Sequence, residues 1–507
     1  MDRSRSSFQI FIRPELFDHL IYPISVKLDD EKIISIFRRL HLLSAIDFKI
    51  SLKEWVKVAG DIGLSQSEAN ILFLTYKIFE DENGEFNQQN KKHDQNQSKN
   101  SVDVRYFGLF FALQSFSQRT KISLTLDKNE KGPSYLKSPL SSPRSKSSSN
   151  VRLGTQGLEY QNVLNFIKGN LKLFLRIIAS DIHNTETTLN ENEFNTLKFL
   201  FTVGDSSYQN NEKIKKMSLS NYLHCFDNLP PITKINMNII NELLLSTLSS
   251  KASELPDYVR IKGLSKCVTI KAGECQNKNI LISNCDDSYI YINTNVINCK
   301  ISCCTNCYIV IAVSSKITSV EKCEKCNVSF VSNFTRISNI IDSNICLYSL
   351  YEPVLFGDNR GLKLGPFNVN YDELYSHVRE SRIVVSHGGM KNFANPILLN
   401  GNKEQFSIIP PEDFTTLVTP FDCKDRFSLK LTPKNYIETI ENRHKMYIKI
   451  KEMIKEAGFQ ENQEKAFHVA LQGYFREWLV SSGNYKPMSD LVKMIDEPFG
   501  LGPLNSK

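Results

Sequence analysis

The hydrophobic and polar positions in the middle of the chain repeat with a period of 19 residues. The repeat aligns one apolar column (Ile290, Ile309, Val328, Leu347) with two columns rich in cysteine (Cys285, Cys304, Cys323 and Ser288, Cys307, Cys326, Ile345). A second apolar column, Ile292, Ile311 and Phe330, lies two positions further along, which is the period of a strand rather than of a helix. A fixed period of this length is typical of identical coils stacked on one another. We therefore predict a parallel β-helix.

Before this repeat, apolar residues recur at spacings of three and four, which indicates helices. The predicted helical stretches are 29–80, 104–116, 158–180, 191–203 and 235–248. Ser65 and Glu68 have the spacing of a capping box, so we expect a helix to begin there. Two amphipathic stretches close the chain, 435–457 and 460–482, and both are long enough to pair with each other or to cap the last coil.

Two polar segments interrupt the helical half. Residues 81–101 are nearly all Asn, Gln, Lys, Asp and Glu, and residues 121–157 are rich in Ser, Lys and Pro. Such compositions cannot bury enough apolar surface to offset the entropy of ordering, so we predict disorder near both segments. Ser138 and Ser142 each precede a proline in a basic context that suits a proline-directed kinase. A plain flexible linker is the alternative interpretation.

The main domain boundary is predicted where helical patterning gives way to strands, after Pro256. A chain of 507 residues exceeds what one hydrophobic core usually serves. We predict a mixed, multidomain fold. Its parts are an α-helical region at 1–255, a β-helix at 256–385, an irregular or β extension at 386–430 and C-terminal helices at 431–507.

Composition adds few constraints on function. The hydrophobic fraction of 41% and the charged fraction of 23% are ordinary for a globular protein. The net charge of +7 is small for this length and no Lys/Arg block stands out, so nothing argues for nucleic-acid binding. We expect neither a signal peptide nor a membrane span, because no apolar run reaches ~18 residues. Twelve cysteines without a secretory signal favour free thiols and the cytoplasm.

Four of these cysteines have the spacing of a zinc ribbon: Cys304, Cys307, Cys323 and Cys326. The 19-residue period gives a second explanation, because equivalent residues of consecutive coils lie about 4.8 Å apart. Cysteine is small and readily buried, so it fills such positions well. We interpret the four as part of a ladder of structural thiols and predict no metal or other cofactor. A zinc-stabilised structural module and disulfides remain as alternatives.

Arg336 is the residue with the clearest potential for chemistry, because the sequence offers no self-contained catalytic motif. It follows Ile317 by 19 residues and should lie at the edge of a coil. A guanidinium that projects from a rigid coil can enter a partner's nucleotide site and stabilise charge during phosphoryl transfer. The alternatives are a solvated surface arginine or one stacked along the ladder.

The coils and the segment LFGDNRGLKLGPFNVNY at 355–371 resemble the tubulin-folding cofactor C domain. The resemblance covers residues 256–385 and implies a right-handed β-helix. The sequences IIPPEDF at 408–414 and YFREWL at 474–479 are similar to one branch of that family. Proteins of this branch are linked to centrosomes, basal bodies and spindle poles, and to the positioning of the centrosome and the Golgi.

GTPase-activating members of the family carry an arginine finger in a Gln-x-x-Arg motif, followed twenty residues later by a glutamate. Without a gap, Arg336 falls on the arginine, Asn333 on the glutamine and Phe356 on the glutamate. The resemblance therefore implies a finger that lacks its supporting polar pair, and preorganisation is where such a group gains its effect.

We therefore interpret the chain as a non-enzymatic cytoskeletal protein of the centrosome, basal body or spindle pole. The resemblance implies a part in centrosome and Golgi positioning and in organising microtubules. Expected partners are cytoskeletal or centrosomal proteins, tubulin or an ARF-like small GTPase. The alternative is a GTPase activator for an ARF-like or tubulin GTPase that acts through Arg336.

Overall fold

The computed structural model describes residues 8–44, 48–81, 101–119, 151–179, 188–205, 219, 235–248, 258–399, 405–424 and 429–481. Residues 82–100 and 120–150, which include Ser138 and Ser142, lie outside the described residues, so the disorder predicted for them stays a prediction.

The N-terminal region is mainly helical. Its helices are α1 (Glu15–His19), α2 (Asp30–Leu43), α3 (Leu52–Asp61), α4 (Gln66–Glu80), α5 (Val104–Leu113), α6 (Val151–Ile178), α7 (Glu191–Asn195) and α8 (Met237–Thr247). Among its described residues, three antiparallel strand pairs join distant parts of this region: β1 (Phe8–Ile12) with β5 (Phe201–Asp205), β2 (Lys49–Ser51) with β3 (Ser101–Asp103), and β4 (Thr188–Leu189) with β6 (Ile235–Asn236).

Side-chain caps and aromatic packing explain these helices. The capping box predicted at Ser65 and Glu68 is confirmed, with hydrogen bonds in both directions at the start of α4. Ser51 and Glu54 form a second capping box at α3. The core centres on Trp55, whose ring meets the rings of Phe107 and Phe111 edge-on at 4.8 and 5.2 Å. Such large aromatic groups supply much of the apolar surface that a core buries.

Two local predictions in this region are wrong. Helix α6 begins at Val151, which is seven residues inside the segment predicted to be disordered. Once a helix has formed, each further residue adds one hydrogen bond, so it extends beyond its amphipathic part. Residues 201–205 form strand β5 although 191–203 was predicted to be helical, because β1 supplies a pairing partner that local periodicity does not reveal.

The second half of the chain is a parallel β-helix, as predicted. Its strands are β7 (Tyr258–Lys262), β8 (Val268–Lys271), β9 (Asn279–Ser283), β10 (Tyr289–Val296), β11 (Cys299–Ser302), β12 (Tyr308–Glu321), β13 (Asn327–Ser338), β14 (Asn344–Ser349), β15 (Val354–Phe356), β16 (Leu362–Pro366), β17 (Ile397–Leu398) and β18 (Phe406–Ile408). All pairs among them are parallel, and β17 and β18 extend the ladders beyond residue 385.

Each coil has three sides. We call one the docking side; it contains β7, β9, β11, the second halves of β12 and β13, β15 and β17. The extension side contains β8, β10, the first halves of β12 and β13, β14, β16 and β18. The corner side is a narrow stack of turns, linked by single bridges through Ser265, Asp286, Thr305, Glu324, Ile341 and Arg360.

The 19-residue register holds over only part of the repeat. Ile290, Ile309 and Val328 pair in one row, as predicted. The following repeat has 17 residues instead of 19. Val328 therefore pairs with Ile345, and Arg336 pairs with Ser319 instead of Ile317. Two irregularities in the pairing of β12 with β13 absorb the difference. A shift of two residues preserves the face of a strand, so the predicted column was misaligned without its side chains changing sides.

Left-handed backbone conformations explain the placement of the cysteines. Four successive turns of the corner side have a positive φ at two positions three residues apart: Asn284 and Asp287, Cys303 and Asn306, Lys322 and Lys325, Asn339 and Asp342. Cys285, Cys304 and Cys323 each follow the first of these positions and point into the core. Because this turn recurs in successive coils, the cysteines recur with it, and this produces the spacing that resembles a zinc ribbon.

Other parts of the chain cover the two broad sides of the β-helix. On the docking side, Ile317, Phe334 and Val354 belong to the same hydrophobic core as the N-terminal helices. On the extension side, residues 367–383, which include α9 (Leu374–Glu380), pack with Tyr291, Val310, Val331 and Tyr348.

Two helices end the described chain, α10 (Lys434–Glu456) and α11 (Glu461–Ser481). Tyr436 and Ile440 of α10 join the β-helix core, where Tyr436 contacts the rings of Phe393 and Phe414 at 5.9 and 5.0 Å. The start of α10 thus closes the last coil, one of the two roles predicted for these helices. Among the described residues, no helix combines the length and apolar character needed to cross a bilayer.

Candidate functional site

Arg336 lies on β13 at the docking side and is only 5% exposed. Its guanidinium points at the N-terminal region instead of at solvent. Nη1 donates a hydrogen bond of 3.3 Å to the carbonyl of Asp18, and Nη2 donates to the carbonyl of Ile21. The residue proposed as an arginine finger is therefore covered by the chain's own residues 15–25, which we call the docking segment.

Two aromatic rings complete the surroundings of Arg336. The guanidinium carbon lies 4.4 Å from the ring centre of Tyr22 and 5.3 Å from that of Phe356. Phe356 occupies the position of the family's supporting glutamate and here supplies a ring face. Asn333, at the glutamine position, donates a hydrogen bond of 3.2 Å to the carbonyl of Ser315 on the neighbouring coil.

A chain of charged groups lies beside Arg336. Lys300 Nζ is 3.0 Å from a carboxylate oxygen of Asp18 and 3.0 Å from one of Glu321. The Tyr258 hydroxyl also donates to Asp18. Burial opposes ionisation of both carboxyls, yet Lys300 keeps the pKa of Asp18 and of Glu321 below its ordinary value. Asp18 therefore provides a negative charge that faces the positive row of the β-helix.

His19 is the other titratable group of the docking segment. Its side chain is fully buried, and Nδ1 shares a hydrogen bond of 2.9 Å with Ser319 Oγ. Burial lowers the pKa of His19 to about 3, and the cations Arg336 and Lys300 act in the same direction against the attraction of Asp18. The imidazole is therefore neutral in the folded protein near pH 7.

The N-terminal helices hold the docking segment from its other side. Gln114 bridges two points of it: its Nε2 donates to the Leu20 carbonyl and its Oε1 accepts from the Tyr22 amide, each at 3.0 Å. The Tyr22 hydroxyl shares a hydrogen bond of 2.9 Å with Thr75. A nucleotide on a partner protein could reach Arg336 only after this segment had moved away.

The four cysteines with zinc-ribbon spacing lie in the interior of the coils. Contacts between thiols link Cys304 with Cys307 and Cys323, and Cys326 with both of the latter. Each sulfur also lies 3.3 to 3.5 Å from a backbone carbonyl oxygen. Among the described residues, no three or more His, Cys, Asp or Glu side chains are arranged to hold a metal ion. Their burial and their carbonyl contacts suit a ladder of thiols, and the zinc interpretation stays an alternative to be tested.

Other cysteines of the described chain share this environment. No disulfide joins any two of the eleven that the structure describes. Burial raises the pKa of Cys346 to about 12 and also raises that of Cys299. Such thiols stay protonated and serve as small apolar groups.

Sequence reasoning missed the partners of Arg336. The contact with Asp18 joins residues 318 positions apart, and Tyr22 and His19 belong to a short stretch without a marked period. A buried cation requires a partner. The one sequence signal for a covered Arg336 was therefore that Lys300 and Arg336 both lie on strands predicted to be packed.

Comparison with known proteins agrees with this architecture. Residues 277–393 match the family model described as Tubulin binding cofactor C. This range begins just before β9, ends just before β17 and contains Arg336, Asn333 and Phe356.

Curated relatives cover more of the chain at low identity. The chain is 25% identical over 224 residues to TBCC domain-containing protein 1 of Xenopus tropicalis. The matched region covers 42% of this chain and 39% of the relative. For the proteins of that name in Danio rerio and Homo sapiens, identity is 25% over 225 residues and 22% over 220 residues. These two matches cover 42% of this chain and 38% and 39% of the relatives. The chain thus spans about two fifths of the length of the relatives it matches. Residues 277–393 therefore match the Tubulin binding cofactor C family model, in a chain similar to TBCC domain-containing protein 1.

Proposed function

We propose that this chain is a non-enzymatic cytoskeletal protein with a role like that of tubulin cofactor C. We further propose that it acts at the centrosome, basal body or spindle pole, in centrosome and Golgi positioning and in organising microtubules. The observation that carries the proposal is the tubulin binding cofactor C match, which falls on the coils of the β-helix. The family resemblance supplies the cellular site.

The surroundings of Arg336 support a non-enzymatic role. A finger must project, whereas this guanidinium is 95% buried and engaged by two carbonyls of its own chain. Its neighbours Asn333 and Phe356 do not provide the polar pair that would orient it toward a nucleotide.

The corner side is the surface that we assign to partner recognition. Both broad sides of the β-helix are covered, by the N-terminal region and by residues 367–383. The corner side instead presents charged side chains such as Lys325 and Arg360, which are 58% and 66% exposed. A rigid stack of turns holds such groups at fixed spacings, which favours a specific protein partner, and we propose tubulin or another cytoskeletal protein.

Localisation tests the cellular part of the proposal. Fluorescently tagged full-length protein should concentrate at microtubule-organising centres that are marked independently. The double variant Lys325→Glu with Arg360→Glu should lose most of this enrichment, whereas Lys172→Glu, an exposed change on α6, should keep it. An even distribution of the wild-type protein through the cytosol would contradict the proposal.

A second candidate is activation of an ARF-like or tubulin GTPase through Arg336. The guanidinium is held directly by carbonyls and rings, and a phosphate forms stronger, charge-assisted hydrogen bonds with arginine than such neutral groups do. This function would require a partner that displaces the docking segment.

Single-turnover GTP hydrolysis separates the two candidates. The assay would compare the wild-type protein, Arg336→Ala and Asp18→Asn, which weakens the docking segment by removing its ion pair with Lys300. If the chain is an activator, GTP hydrolysis should be faster with Asp18→Asn than with the wild-type protein, and Arg336→Ala should not accelerate hydrolysis at all. The control Arg360→Ala should give the wild-type rate. Equal rates for all four proteins would remove this candidate.

A further inference from the structure

The C-terminal helices leave the body of the protein with apolar side chains in solvent. Beyond Ile440, nearly every residue of α10 and α11 is exposed. Twelve of the 21 exposed large apolar side chains in the described part of the chain lie between residues 446 and 480. We call residues 441–481 the arm.

Three of these exposed groups form a seam on each helix. Met446, Ile450 and Met453 are 58%, 48% and 58% exposed, and their spacing of four and three places them on one face of α10. Leu471, Phe475 and Trp478 repeat this spacing on α11 and are 51%, 49% and 50% exposed. This is the spacing of core positions in a coiled coil, in which a facing helix covers the seam.

We propose that the arm is a self-association surface, with two copies of the chain joining their α10 and α11 helices in a four-helix bundle. The charges of the two helices complement each other. Between residues 441 and 456, α10 has five basic and three acidic residues, whereas α11 has two basic and three acidic residues. Placing α10 of one copy against α11 of the other therefore pairs a positive helix with a negative one.

The apolar area is sufficient for a stable dimer. The six seam side chains leave on the order of 600 Å² exposed per chain, and their flanks roughly double that area. A stable interface buries about 800 Å² per partner.

The test uses the full-length chain and its mass in solution. Light scattering after size-exclusion chromatography should give twice the chain mass for the wild-type protein in the micromolar range. The double variant Ile450→Glu with Phe475→Glu should raise the dimer dissociation constant at least roughly tenfold, because each charge lies in a buried seam. Val418→Glu changes an apolar residue that is 63% exposed outside the arm, and it should leave the mass unchanged.

Three results would overturn the proposal. One is a wild-type protein that stays monomeric up to about 100 μM, a concentration far above that at which an interface of this size assembles. Another is a dimer that the seam variant leaves intact. The third is a monomer that becomes dimeric on truncation after Ser481, since residues 482–507 would then cover the seams. Co-sedimentation of a monomer with lipid vesicles, lost in the seam variant, would assign the arm to membranes instead.

Discussion

Arg336 exchanges its contacts with water for two carbonyl groups and two aromatic rings. A buried guanidinium needs hydrogen-bond acceptors, and the docking segment supplies two of them, whereas Nε has no partner among the described residues. The same residue that resembles a catalytic finger thereby becomes a link between two parts of one chain.

Truncation of this side chain should destabilise the protein. In Arg336→Ala the carbonyls of Asp18 and Ile21 lose their donor and both rings lose a cation, so we expect a loss of about 3 kcal/mol. Urea unfolding gives the value. Arg360→Ala removes an exposed arginine paired with Asp358 and should leave the midpoint in place. Equal midpoints for both variants would show that Arg336 does not hold the two parts together.

His19 should make stability depend on pH. Its pKa is about 3 in the folded protein and 6.5 without the protein environment. Below pH 6.5 the unfolded chain therefore gains a proton that the folded chain excludes, and stability falls as the pH is lowered toward 3. At pH 5 the loss should be about 2 kcal/mol relative to pH 7.

Unfolding midpoints at pH 7 and pH 5 measure this effect. Asp18 and Glu321, whose pKa values are lowered in the folded protein, add a loss that develops as the pH falls through their ordinary values of 3.8 and 4.5, so they contribute little at pH 5. His19→Gln should remove most of the difference, whereas His468→Gln, on the exposed face of α11, should keep it. A His19→Gln protein with an unchanged pH profile would contradict the assignment.

At the scale of elements, the coils depend on turns with left-handed backbone. Asn and Asp take several of these positions because their short polar side chains tolerate a positive φ, and the last turn uses Gly357 and Gly361. The turns fix where each strand begins. Bulges in β12 then let a coil of 17 residues follow coils of 19 without exposing the core.

Gly361→Ala should test this dependence. Gly361 has a φ of +63°, and a Cβ there would collide with the carboxylate of Asp342 and lie 3.2 Å from its Cα. We expect a loss of about 2 kcal/mol in the free energy of unfolding. Gly169→Ala, in the exposed middle of α6 with free space around it, should instead stabilise by about 0.5 to 1 kcal/mol. A neutral Gly361→Ala would contradict the required positive φ.

The thiol ladder should be independent of metal. Because the sulfurs lie near one another and near backbone carbonyls inside the coils, we expect protein purified without added metal to contain far less than one zinc per chain. Incubation with a chelator should leave the thermal unfolding midpoint unchanged. Elemental analysis that finds about one zinc per chain, with a loss of folding on chelation, would restore the zinc-ribbon interpretation.

At the scale of the whole molecule, the helical region and the β-helix share one core. Ile317, Phe334 and Val354 project from the docking side into the cluster formed by the N-terminal helices. Removing the helical region would expose these residues together with Lys300 and Arg336. The two parts therefore act as one folding unit, whereas the arm beyond Ile440 is exposed on nearly all its residues.

Separate expression tests this coupling. Residues 256–440 alone, which keep the start of α10, should be poorly soluble and bind a hydrophobic dye, because the docking side loses its cover. Co-expression with residues 1–255 should restore a soluble complex that carries both fragments. A monodisperse 256–440 fragment with an unfolding midpoint close to that of the full-length protein would contradict a shared core.

The sequence by itself determined the elements whose signals are local. The period of 19 predicted the coils, because spacing along a strand decides which side chains face inward. Ser65 and Glu68 predicted a helix start since both partners of a capping box lie within one turn. Ile345 and Leu347, the last members of two predicted columns, were each misplaced by two residues, because bulges in β12 have no sequence signature of their own.

Only the tertiary structure decided what surrounds Arg336. Its carbonyl partners lie more than 300 positions away, and two surfaces meet through complementary shape and charge rather than through a repeated pattern. The sequence could place the arginine on a coil and name the residues at its supporting positions. Whether it faces a partner or its own chain depends on how the N-terminal region packs, because burial is a property of the assembled fold.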